Sequence, residues 1–173
     1  METTEKIVEA YVRYVKRWAT IPNVRCGGQF EIDLLAINPK TCERYHIETS
    51  ISVSPGFSRL TAMDFDPEGH KPTMRRTVGY FIKQKFEAPA VVEKLAEYGF
   101  VGNNYKKIIA TWGATEEAKA AAVGADIAVW DFREMMQNIA RSIESESSYF
   151  TDDTLRTIGL YARALDGFQK DAN

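Results

Sequence analysis

Gly27-Gly28-Gln29-Phe30-Glu31-Ile32-Asp33, followed past an Asn38-Pro39-Lys40-Thr41 turn by His46-Ile47-Glu48-Thr49-Ser50, is the stretch that decides the fold. Residues 30–37 read as a strand whose first half alternates, with Phe30, Ile32 and Leu34 on one side and Glu31 and Asp33 on the other. Residues 44–53 read as the next strand, with Tyr45, Ile47, Ile51 and Val53 as its apolar positions. Asn23-Val24-Arg25-Cys26 is a short strand before the Gly-Gly turn, which gives an antiparallel meander. Asp33 and Glu48 then fall within neighbouring strands, and a hairpin can bring both carboxylates to one face. Two carboxylates close together repel unless a cation lies between them. A divalent ion with oxygen ligands, such as Mg²⁺, answers that need. The alternative is structural pairing with Arg25, Arg44 or Lys40.

Upstream, residues 3–19 carry Ile7, Val8, Tyr11, Val12, Val15 and Trp18 at helical spacing. Thr3 or Thr4 is available as a cap, and Pro22 blocks continuation. Downstream, residues 54–74 are rich in Ser, Pro, Gly and charge and read as a long functional loop. Helical pattern runs from about 74 to 86, and again over 90–98 after Pro89. Residues 106–112 form a buried strand. Thr115 caps a helix over 116–123 that Gly124 ends, and residues 127–130 are a further strand. Asp131 caps a helix to about residue 142, and a last helix starts at Thr151 or Asp152. The pattern predicts an α/β layer fold with a mixed sheet. It divides into a core over 1–143, and an acidic linker and C-terminal helix over 144–173 that pack on the core or on a second subunit.

The chain has 173 residues with 45% hydrophobic and 27% charged side chains, which excludes disorder and low-complexity structure. Lys plus Arg is 22 and Asp plus Glu is 24, a net charge of −2, so a globally basic nucleic-acid coat is excluded. Locally the balance reverses: Lys71, Arg75, Arg76, Lys83 and Lys85 give +5 over residues 70–85, with no acidic residue. Such a patch suits phosphate contacts. Two cysteines make neither a disulfide framework nor a cysteine zinc site. No apolar run approaches the roughly 20 residues that span a bilayer, and the first residues lack a signal-peptide pattern. A cytoplasmic protein with no membrane partner is expected.

The order Asp33, then Glu48-Thr49-Ser50, resembles the PD-(D/E)XK, or restriction-endonuclease-like, nuclease superfamily, in its resolvase- and Mrr-like branch. That family places an Asp at the start of one strand and an acidic-X-Lys tripeptide in the next. The segment from Lys107-Ile108-Ile109-Ala110-Thr111-Trp112 to Ile127-Ala128-Val129-Trp130-Asp131-Phe132 is similar to the closing half of Mrr-type members. The resemblance spans residues 3–140 as an order of elements. It implies a restriction-endonuclease-like core of three layers, α/β/α, with the mixed sheet at its centre. It also implies metal-dependent hydrolysis of DNA phosphodiesters, with Mg²⁺ or Mn²⁺ held by Asp33, Glu48 and the backbone carbonyl of Thr49. It implies a role for a Glu on the first helix, best matched by Glu9 and next by Glu5. It also makes a homodimer an expected form.

Ser50 departs from the pattern, because the family's Lys would stand there. A hydroxyl hydrogen-bonds but brings no positive charge. Lys83, Lys85 and Arg59 are candidates for a migrated cation. We assign Asp33, Glu48, Ser50, Glu9 and Lys83 to the catalytic set, and Arg59, Lys71, Arg75, Arg76 and Lys85 to nucleic-acid contacts. The competing expectation is a catalytically inactive nucleic-acid-binding or assembly domain on the same fold. His46 reads as a hydrogen-bonded strand histidine. His70 reads as surface, and the three tryptophans as packing.

Overall fold

The computed structural model describes residues 2–51, 59–66, 75–145 and 152–171, of which residues 144–145 and 165–171 are described as backbone only. Helix α1 (Thr3–Ala10) runs on as a π-helical turn over Tyr11–Val15. Strands β1 (Ala19–Arg25), β2 (Glu31–Ile37) and β3 (Arg44–Ser50) follow. Helix α2 (Val78–Tyr80) continues as a second π-helical turn over Phe81–Phe86, and α3 spans Pro89–Glu97. The rest is β4 (Tyr105–Thr111), α4 (Glu116–Gly124), β5 (Ile127–Asp131), α5 (Phe132–Ser145) and α6 (Asp153–Asp171).

The five strands stand in sequence order in one sheet. β1–β2 and β2–β3 are antiparallel, while β3–β4 and β4–β5 are parallel. The antiparallel half needs only short turns. Gly28 supplies one of them, at φ +70, where a side chain would be strained. The parallel half needs crossovers, and α4 provides the last of these. Thr115 accepts from the Ala118 N–H and caps α4, as its position before the alanine-rich run predicts.

Alternation along the strands sorts the core into two layers. Leu34, Ala36, Tyr45, Ile47, Ile108 and Ala110 pack against α1, α5 and α6 through Val8, Val12, Met135, Ile139, Leu155 and Ile158. On the other face, Ile109 and Ile127 meet Phe81, Phe86, Ala118 and Ala122, while Leu35 meets Val91 and Leu95 of α3. The fold is therefore a mixed five-stranded sheet between two helical layers, as predicted. α6 packs on α1 and α5 of its own chain.

The boundaries that differ most from the sequence reading are those of β1 and β3. The first helical segment ends at Val15, and β1 begins at Ala19, inside the span read as helix, and carries Pro22. An edge strand tolerates the missing N–H, and Asn23 at φ 51 kinks the strand there. β3 ends at Ser50, short of the expected residue 53. Most of the predicted loop over 54–74 lies outside the described residues. Its described part pairs Leu60 with Ala114 and Thr61 with Thr77 in isolated bridges.

The segment over 63–65 crosses α2 at Gly79. A Cβ there would stand 2.7 Å from the Phe65 N and 3.2 Å from the Met63 O, both backbone atoms that cannot swing aside. Gly79→Ala is therefore expected to destabilise the fold by about 1–3 kcal/mol, the usual cost of forced overpacking. Urea unfolding checks this, and an unchanged midpoint would mean the segment is not seated on the helix.

Candidate active site

Asp33 and Glu48 come together on the sheet face covered by α2, its π-helical turn and α3. They lie one position beyond the Leu34–Ile47 pair of the β2–β3 ladder. Asp33 is 8% exposed and Glu48 is fully buried, with the apolar Ile32, Leu34 and Ile47 beside them in their strands. An unpaired carboxylate there would be costly. Each is tied down. The Thr49 N–H donates to Asp33 Oδ2 at 2.7 Å. The Asp33 N–H donates weakly to Glu48 Oε1 at 3.4 Å, and His46 Nε2 lies 2.7 Å from the same oxygen.

The cation facing both acids is Lys85, rather than Arg25, Arg44 or Lys40. Its ammonium stands 3.1 Å from Asp33 Oδ1 and 2.5 Å from Glu48 Oε2, and donates to the Glu31 carbonyl at 3.0 Å. Two of these contacts are hydrogen bonds, to Asp33 Oδ1 and the Glu31 carbonyl. The contact to Glu48 Oε2 is an ion pair of poor alignment, for that oxygen has no hydrogen bond of normal geometry.

The charges are finely opposed. Burial pushes Asp33 up to about 7, the charge of Glu48 adds to the rise, and Lys85 and the Thr49 N–H work against it. Burial likewise pushes Glu48 up to about 7, against Lys85. Burial works against the Lys85 charge, but Glu48 and Asp33 outweigh it and hold the ammonium above the ordinary lysine value. His46 is driven down to about 3, chiefly by burial, and stays neutral.

Ser50 follows Glu48 by one alternation on the same face, buried, with Thr111 as its β4 neighbour. Lys83 does not join the acids. Two residues apart on a helical segment, it and Lys85 point to different sides, and Lys83 donates to the Phe65 carbonyl at 3.0 Å. Lys85, read from the sequence as a phosphate contact, and not Lys83, is thus the lysine that stands with the two acids. Glu9 lies on the opposite layer. It accepts from Thr20 Oγ1 at 3.1 Å and faces Arg13 at 3.9 Å, in a cleft between α1 and the start of α6. Glu5 accepts from its own chain start at the Glu2 N–H and faces Asn23. Neither glutamate stands with Asp33 and Glu48.

Of the basic residues, Arg59 is exposed beside Gly113, at the carboxyl end of β4. Arg75 is exposed, while Arg76 is half-buried with its Nη1 enclosed and without a hydrogen-bond partner. Lys71 and His70 lie outside the described residues. His46, two residues before Glu48 on the same strand face, is hydrogen-bonded as the sequence reading expected, and its partner is the Glu48 carboxylate.

Among the described residues no three His, Cys, Asp or Glu side chains form a metal-holding group. Mg²⁺ does not require one. It keeps several waters and commonly binds through one or two carboxylates together with substrate phosphate. Asp33 and Glu48 are donors of that kind, and Glu48 Oε2 has capacity to spare. The donor chemistry therefore fits a hard divalent cation.

No family model and no curated protein matches the chain. Among solved structures it is similar to a crystal structure described as a protein of unknown function, AF1548. The identity is 16%, covering 99% of this chain and 98% of that one, with a TM-score of 0.49. A likeness of that degree carries no argument about activity. Among the described residues no helix is long and apolar enough to cross a membrane.

Proposed function

We propose that the chain is a metal-dependent nuclease that hydrolyses phosphodiester bonds of DNA, built on a restriction-endonuclease-like sheet. Lys85 carries this reading. Ser50 stands where the family's lysine would be, and Lys85 brings an ammonium to the same two acids from the π-helical turn after the loop. The side-chain set of Asp, Glu and Lys is thereby complete although its sequence order is not.

Asp33, Glu48 and the Thr49 carbonyl would hold Mg²⁺ or Mn²⁺, which supplies a water of lowered pKa and a positive charge toward the phosphate. The remaining work belongs to the chain. Thr49 N–H and His46 fix the carboxylates. Lys85 gives up one of its three acceptors and turns that donor toward a non-bridging phosphate oxygen or the attacking water. Ser50 offers a hydroxyl hydrogen bond on the same face. Arg59, Arg75 and Arg76 lie toward the strand ends and the loop, where a phosphate backbone would run. A homodimer would present two such sites to two strands. A cytoplasmic setting accords with Cys26 and Cys42, both free thiols.

The deciding experiment is cleavage of supercoiled plasmid and branched DNA with Mg²⁺ or Mn²⁺, by the wild type and by Asp33→Ala and Glu48→Ala. Metal-dependent cleavage is expected in the wild type, with losses of about a thousandfold or more in each variant, since each removes a charged metal ligand. No cleavage by pure wild-type protein would instead favour an inactive nucleic-acid-binding or assembly domain.

A further inference from the structure

His46 meets the Glu48 oxygen that Lys85 does not face. Its ring is fully buried, edge-on to Phe86 with centroids 4.8 Å apart, and 6.4 Å from the Tyr105 ring. Nε2 meets Glu48 Oε1 at 2.7 Å, and the buried Nδ1 has no hydrogen-bond partner. With the ring neutral, two proton arrangements satisfy that distance. Either Nε2–H donates to an ionised Glu48, or a protonated Glu48 donates to Nε2 and the ring proton sits on Nδ1. The second buries an N–H donor with nothing to accept it. The first leaves only a lone pair unfilled, which is the smaller cost. The other neighbours of the carboxylate agree: the Asp33 N–H and the Lys85 ammonium are both donors.

We propose that His46, as its neutral Nε2–H tautomer, is a positioning residue that grips Glu48 Oε1 and so presents Oε2 to Lys85 and to an incoming divalent cation. The purpose of this grip rests on the nuclease reading; its geometry does not. An outer partner that orients a liganding carboxylate is a recurrent device of metal sites, and its loss typically costs ten- to a hundredfold in metal affinity.

Two measurements test it. The first is ¹⁵N NMR of the wild-type protein at pH 8, where Glu48 is ionised. Protonated Nε2 with bare Nδ1 is expected; an Nδ1–H tautomer or an imidazolium would overturn the proposal. The second is calorimetric titration with Mn²⁺ alone of wild type, His46→Phe and His46→Gln, each first shown by its melting curve to be folded. Phe keeps the ring packing on Phe86 and removes the N–H, while Gln restores an amide N–H at similar reach. We expect Mn²⁺ binding about tenfold weaker in His46→Phe and within about threefold of wild type in His46→Gln. Equal affinity in His46→Phe and wild type would overturn the positioning role, as would equal loss in both variants. If wild-type protein binds no Mn²⁺, the nuclease reading fails, and the tautomer still decides whether His46 grips Glu48.

Discussion

Lys85→Ala is expected to lower metal-dependent DNA cleavage by about a hundredfold to a thousandfold, the scale on which a single preorganised electrostatic group acts in a buried site. Lys83→Ala, two residues away, is expected to leave it within about threefold, because i and i+2 on a helical segment do not share a face. Lys83 is occupied at the Phe65 carbonyl, whereas Lys85 meets Asp33, Glu48 and the Glu31 carbonyl. Stability follows the same division. Removing Lys85 leaves two buried carboxylates with no cation, a class of change that costs about 3–5 kcal/mol when the charge persists. Here the charge can be discharged by protonation, so the penalty is expected to be large at pH 8 and much reduced at pH 5. Urea unfolding of Lys85→Ala at the two pH values checks this. Equal penalties would mean that the loss is one of packing alone.

The concentration of Mg²⁺ that half-saturates cleavage is expected to be about tenfold higher at pH 6 than at pH 8 for one displaced proton, since ligands must be deprotonated to bind. Asp33 and Glu48 both titrate near 7, raised by burial, so the pair holds protons at pH 6 that the cation must displace. The same shifts act on stability in the absence of metal. Because the folded values lie above the ordinary 3.8 and 4.5, the folded chain binds more protons than the unfolded chain between about pH 4 and 7. The stabilising contribution of the pair therefore falls as pH rises through that window. His46 acts in the opposite sense between its folded value of about 3 and its ordinary 6.5, where the unfolded chain binds the extra proton. A Mg²⁺ requirement that did not move with pH would mean that the carboxylates are ionised throughout.

The sheet was legible because its rules are local. Gly27-Gly28 and Asn38-Pro39 mark the turns of the antiparallel half, and Thr115 and Gly124 bracket the crossover helix of the parallel half. The acid pair was legible too, since a carboxylate within an apolar strand needs a reason wherever it is found. The lysine was only half legible. Sequence narrows the missing cation to a basic segment but does not give the rotation of a helix over a sheet, and Lys83 and Lys85 differ chiefly in that rotation. The π-helical turn over Phe81–Phe86 alters the angular spacing of the very residues concerned, a deviation that no 3.6-residue template anticipates. The start of β1 was hidden for a related reason. Trp18 continues the apolar spacing of α1, yet it stacks on Tyr45 with ring centroids 4.0 Å apart, a contact across the sheet that periodicity cannot show.

The separation of Lys85 from Asp33 by 52 residues, against 15 between the two acids, has a consequence for the order of folding. The β2–β3 hairpin closes a short loop and can form early. It then carries two carboxylates on a face where, among the described residues, Lys85 is the cation that meets them both, and that lysine arrives only with the π-helical turn over Phe81–Phe86. Until that moment water is the better solvent for those acids, and this edge of the core cannot dry. Desolvation of the face and arrival of the lysine are thereby one event. Nascent chains that end before Lys85 would hold the hairpin open to solvent, and the last step of consolidating this layer is the same step that brings Lys85 to the two acids.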